Sequence, residues 1–126
     1  MGGPGDAASG TELWVRRANG PANSEDGAYS ETVSPDGSTL FVTGFSYVSF
    51  KHDVDSATVA YATADGTPAW AKAYNGPGSY DDVAQSIVVS PDGSAVFVTG
   101  GSYGGVTTGD DYATVAYDAG PERPGG

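Results

Sequence analysis

The chain has no cysteine and one histidine, His52. Disulfides and thiolate-held metal centres are therefore excluded, and the redox state of the compartment leaves no mark on the sequence. Basic residues are scarce as well: five Lys and Arg stand against sixteen Asp and Glu, a net charge of -11. That balance opposes nucleic-acid phosphates and anionic membrane surfaces, and it leaves cationic partners open. No apolar run approaches the ~18 residues of a membrane-spanning helix. The first ten residues, MGGPGDAASG, contain neither a basic region nor an apolar one, so no secretory signal is expected on this chain.

Glycine and proline, by contrast, are abundant at 20 and 8 residues, and they occupy fixed places in an internal repeat, which marks turns rather than disorder. Ser34-Pro35-Asp36-Gly37-Ser38 running into Phe41-Val42-Thr43-Gly44 returns 56 residues later as Ser90-Pro91-Asp92-Gly93-Ser94 running into Phe97-Val98-Thr99-Gly100. The same offset holds without a gap from Trp14/Trp70 to Tyr61/Tyr117. One supersecondary unit is written twice, and that repeat governs the reading of everything else.

Within each copy, period-two alternation and turn chemistry predict short strands. A Trp-centred strand, Glu12 to Ala18 with its mate Ala69 to Tyr74, ends at Asn-Gly-Pro. Next come Ala28 to Ser34 and Ala84 to Ser90; the second copy reads Gln-Ser-Ile-Val-Val, the branched density of a strand buried on both faces. Ser-Pro-Asp-Gly makes the hairpin turn: Pro presets φ, Asp bonds the turn backbone, and Gly takes the left-handed position. Return strands Thr39 to Thr43 and Ala95 to Thr99 are expected to stop at Gly44 and Gly100. Ala57 to Tyr61 and Ala113 to Tyr117 are identical strands, and Asp65-Gly66-Thr67-Pro68 turns the first of them into the second Trp strand. The second copy ends one strand short.

Four short strands per roughly 50 residues, with a turn at each junction, predict an all-β fold of β-propeller blades, two four-stranded antiparallel blades in this chain. The succession from Trp through Asn-Gly-Pro, Val-Ser-Pro-Asp-Gly-Ser and Phe-Val-Thr-Gly to Ala-Thr-Val-Ala-Tyr resembles the bacterial β-propeller repeats typified by the SBBP and YVTN families. Its Ser-Pro-Asp-Gly hairpin is similar to that of WD-repeat blades. The resemblance spans residues 14 to 118. It implies that the strand before Ser-Pro-Asp-Gly lies innermost in each blade and the Trp strand outermost, and it implies an extracytoplasmic setting. It implies no single activity, since such families include lactonases and surface proteins. The expected organisation is a disordered tail over 1 to 11, a two-blade unit over 12 to 118 (repeats 14 to 69 and 70 to 118) and a second disordered tail over 119 to 126.

On that reading the last blade lacks its outer strand unless a neighbouring chain supplies one. Two blades cannot close a ring, and each uncovered sheet face is several hundred Å², worth on the order of ten kcal/mol at about 25 cal/mol per Å². Head-to-tail association would pair Glu12 to Ala18 of one copy with Ala113 to Tyr117 of the next, giving six blades from a trimer or eight from a tetramer. The rival expectation is a fragment of a longer single-chain propeller, either a lactonase-like metal-dependent hydrolase or a carbohydrate-binding protein.

Chemistry is concentrated in the connections Asn19 to Gly27, Tyr47 to Asp55, Asn75 to Val83 and Tyr103 to Asp111. They carry Glu25, Asp26, Asp53, Asp55, Asp81, Asp82, Asp110 and Asp111, with Lys51 their sole cation. Convergent carboxylates suit Ca²⁺. Asp26/Asp82 and Asp55/Asp111 recur at matching places, as turn-capping residues would, so Asp53, Asp81 and Asp110 are the candidate metal ligands. Tyr47, Phe50, Tyr80 and Tyr103 are candidates for binding a carbohydrate or a protein partner by stacking; closing the channel mouth by packing is the simpler role. His52, beside Lys51 and Asp53, has neither a Gly-x-Ser-x-Gly nor a His-Glu-x-x-His context. No catalytic residue and no required cofactor is assigned, and the expected function is a non-catalytic scaffold for binding or assembly through an acidic loop face.

Overall fold

The computed structural model describes residues 8–17, 26–47, 54–74, 82–103 and 110–120. It is all-β among these, with seven strands: β1 Asp26–Val33, β2 Thr39–Tyr47, β3 Val54–Ala62, β4 Pro68–Tyr74, β5 Asp82–Val89, β6 Ala95–Tyr103 and β7 Asp110–Asp118. They form two antiparallel sheets, one of four strands in the order β1-β2-β3-β4 and one of three in the order β5-β6-β7. The sheets pack face to face, with β5 against β1, β2 and β3.

Both Ser-Pro-Asp-Gly turns form as their chemistry dictates. The amide of Gly37 donates to the Ser34 carbonyl at 2.8 Å, and that of Gly93 to the Ser90 carbonyl at 2.9 Å. These glycines have φ of 79° and 77°, in the left-handed region that a side chain resists. Asp36 Oδ1 accepts from the Ser34 hydroxyl at 2.7 Å and from the Ser38 amide at 3.0 Å. Asp92 does the same with Ser90 and Ser94 at 2.7 and 3.0 Å.

The return strands do not stop at Gly44 and Gly100. β2 and β6 run on to Tyr47 and Tyr103, and the two glycines serve a bulge. β1 shifts register between Ala28 and Ser30, opposite Gly44, and β5 shifts between Ala84 and Ser86, opposite Gly100. A bulge brings the bulged backbone close to its partner strand; a Cβ on Gly44 would run into the Gly27 carbonyl oxygen, and one on Gly100 into that of Val83. The bulge also reverses the alternation. Asp82 and Ala84 point toward the first sheet before it, Ile87 and Val89 after it.

A second difference concerns Glu12 to Ala18. Residues 11–17 are described, and they form no strand. A strand exists only through its ladder, and no described strand lies alongside them.

Candidate functional site: two open sheet faces

The interface between the two sheets is the core of the molecule, and each side of it has a counterpart elsewhere in the repeat. From the first sheet it takes Phe41 and Ala60, 1% and 0% exposed, with Trp70 partly buried beside them. From the second it takes Ala84, Ile87, Val96 and Val98, with Val89 and Tyr117 packed against them. Trp70, on the edge strand β4, spans the two sheets: its ring centroid is 6.0 Å from that of Phe41 and 5.8 Å from that of Tyr117, and its indole N–H donates to the Ala119 carbonyl at 2.9 Å. Burial raises the Tyr117 phenol pKa, with Tyr74 adding to the shift.

The first sheet meets the second through a row of hydroxyls as well as apolar groups. Thr43 and Thr58, 1% and 0% exposed, share a hydroxyl hydrogen bond of 2.9 Å, and Thr43 Oγ1 also donates to the Ala57 carbonyl at 3.1 Å. With Thr58 donating to Thr43 and Thr43 to the Ala57 carbonyl, both hydroxyl protons have acceptors and the pair can be buried without an orphaned donor.

Moving 56 residues along the chain transfers this face to the second sheet, where nothing described covers it. Phe97, in the place of Phe41, is 39% exposed; Tyr112, in the place of the 6% exposed Ser56, is 82% exposed; Val88 is 56% exposed. The Thr99–Thr114 hydroxyl pair is intact at 3.0 Å but exposed. The strand Ala84 to Ser90, expected to be covered on both sides, is thus covered on one among the described residues.

The opposite side of the first sheet is only partly covered by the described residues. Glu31, Val33, Leu40, Val42 and Val59 stand there where the second sheet has Ile87, Val89, Val96, Val98 and Val115. Val33 is 49% exposed and Leu40, Val42 and Val59 are half-buried. One end of this face is occupied by residues 11–17. Trp14 donates its indole N–H to the Thr63 carbonyl at 2.8 Å and packs on Tyr61 at 6.0 Å, repeating the contacts of Trp70 with Ala119 and Tyr117. Arg16 Nε donates to the Gly66 carbonyl at 2.7 Å and Nη2 to that of Asp65 at 3.3 Å. Amide and hydroxyl bonds from Thr67, with the Arg16 charge, hold the Asp65 carboxyl below its ordinary pKa.

The residues singled out from the sequence fall elsewhere. Asp53, Asp81, Phe50, Tyr80, Lys51 and His52 lie outside the described residues. Tyr47 closes β2 opposite Val54, and Tyr103 closes β6 opposite Asp110. Asp110 therefore opens a strand rather than sitting within a connection, as do Asp26 and Asp82. Asp82 is 1% exposed, lining a small cleft between the sheets with Ser56, Tyr74 and Ala84, so its carboxylate contributes nothing to an open acidic surface. Among the described residues no group of three or more His, Cys, Asp or Glu could hold a metal ion. The open positions Val88, Phe97 and Tyr112 were not singled out, although each stands 56 residues from a residue of the internal interface. No protein-family model, curated protein or solved structure matches the chain.

Proposed function

We propose that the chain is a non-catalytic β-propeller repeat module, resembling the SBBP and YVTN repeats, that serves as an assembly and binding scaffold. Each sheet is a blade. The open face of the second blade takes the open face of the first blade of another copy, and this head-to-tail contact repeats until a trimer of six blades or a tetramer of eight closes. The observation that carries the reading is the contrast between Phe41 at 1% and Phe97 at 39% exposure, the same residue on the same face with and without a covering sheet.

Chemistry on both sides supports a copy of this chain as the occupant. The uncovered face keeps Phe97, Thr99, Thr114 and Ala116 identical to Phe41, Thr43, Thr58 and Ala60, so whatever covers it should resemble what covers the first sheet. Leu40, Val42, Val59 and Tyr61 supply that surface. Contacts of this heterologous kind propagate until rotation closes them. An acidic end of the ring, carrying Asp53, Asp81 and Asp110 with Tyr47, Phe50, Tyr80 and Tyr103, is the proposed binding surface for a cation such as Ca²⁺ or for a carbohydrate.

Sedimentation velocity tests the assembly. The unsubstituted chain is expected to sediment as a closed oligomer, and Phe97→Lys as a folded monomer, because a charge at the centre of the contact would be buried without a partner. A Phe97→Lys variant that assembles like the parent contradicts the proposed face.

A further inference from the structure

Building on the head-to-tail reading, we infer that residues 12–17 of one copy add as a fourth strand to the edge of β7 left unpaired by the described residues of the next. The register sets Trp14 opposite Ala116 and Val15 opposite Val115, and Trp14 lies between its own Tyr61 and the neighbouring copy's Phe97.

The internal ladder supplies the template. β4 pairs with β3 through Ser56↔Tyr74, Ala57↔Ala73, Thr58↔Lys72, Val59↔Ala71 and Ala60↔Trp70. Moved by one repeat, the last four become Ala113 with Arg17, Thr114 with Arg16, Val115 with Val15, and Ala116 with Trp14. The first three strands of the two sheets share equivalent registers, including the bulge, so the fourth has a matching edge waiting for it. That edge of β7 is unpaired among the described residues, and an open edge of backbone donors and acceptors is a template for another chain.

The candidate strand is already held where the template requires. Trp14 and Trp70 make the same two contacts with the turn that follows each repeat: an indole hydrogen bond, at 2.8 and 2.9 Å, and a tilted ring pair, at 6.0 and 5.8 Å. Trp70 makes a third contact, with Phe41 of its own sheet at 6.0 Å. The counterpart of Phe41 for Trp14 would be Phe97 of a different copy. It cannot be Phe97 of the same chain, because Trp14 is docked on the side of the first sheet that faces away from the second. Charge also agrees: Arg16 and Arg17 are two of the five cations in a chain of net charge -11, and the strand they would join carries Asp110, Asp111 and Asp118.

Because the chain has no cysteine, the register is open to disulfide mapping. Val15→Cys and Val115→Cys are made in separate chains, mixed, exchanged through mild denaturant and oxidised, with native mass followed in parallel. The expected result is a disulfide-linked pair joining the two variants inside an assembly of unchanged mass. Val15→Cys with Ala113→Cys should give none, since two residues along a strand add about 6.6 Å and cysteines whose Cα atoms lie beyond about 7 Å do not bridge. Should Val115→Cys fail to fold, Thr114→Cys, on the opposite face, with Arg16→Cys tests the same register. Assemblies of the right mass that link through Ala113, or through neither position, overturn the register and leave head-to-tail stacking standing. A chain that stays monomeric overturns both.

Discussion

At the scale of single residues, the turn aspartates are the most sharply determined groups in the molecule. Hydrogen bonds from the Ser90 hydroxyl, the Ser94 amide and the Ser94 hydroxyl lower the Asp92 carboxyl from 3.8 to about 2. The folded chain therefore releases this proton more readily than the unfolded one. Its stabilising contribution is complete above the unfolded value and is lost as pH falls from about 4 through about 2. Asp92→Asn, which keeps an acceptor oxygen but no charge, is expected to flatten the acid side of the stability profile over that window and to leave its shape unchanged above pH ~5. Urea melts at a series of pH values check this; an unaltered acid limb in the variant would contradict the assignment. These aspartates were legible in the sequence because Ser-Pro-Asp-Gly is local chemistry, complete within five residues. The exposure of Phe97 was not legible in the same way, since it depends on which sheet face lies against another.

At the scale of strands, the bulge decides which side chains meet the core. Two glycines beside it make a direct comparison. Gly100 faces the backbone of Val83 and Ala84, with no room for a Cβ, whereas a Cβ on Gly101 would meet nothing within 4 Å. Gly100→Ala is expected to destabilise the chain by roughly 2 kcal/mol or more, through displaced backbone and a weakened bulge, and Gly101→Ala to change stability by less than about 0.5 kcal/mol. Chemical denaturation measures both, and equal costs would show that the close approach is not what fixes Gly100. The strands themselves were readable from alternation and turn residues, and the seven that form sit where the pattern put them, longer by up to four residues at one end. Their extension past Gly44 and Gly100 was hidden because an isolated glycine reads equally as a terminator or as the partner of a bulge, and only the register distinguishes the two. The Trp-centred stretch, described over 12 to 17, has a strand pattern without a strand for a different reason: alternation specifies faces, but a ladder needs a second backbone.

For the whole molecule, the described residues present one internal interface and two further sheet faces made of the same or similar residues, which the proposed assembly would bring together. Uncovered sheet faces of this kind are costly to leave in water, and the exposed Phe97 and the Thr99–Thr114 hydroxyl pair repeat residues that are buried in the first sheet. Glu31 and Tyr112, in the places of Ile87 and Ser56, would make the proposed contact between copies chemically distinct from the one within a chain. The acidic connections proposed as a binding surface lie mostly outside the described residues and rest on composition alone. The measurement that tests the central claim most directly is native mass spectrometry of the purified chain at micromolar concentration. The account predicts a single closed species of three or four chains, six or eight blades, with no open-ended series above it; a population composed of monomers alone would contradict it.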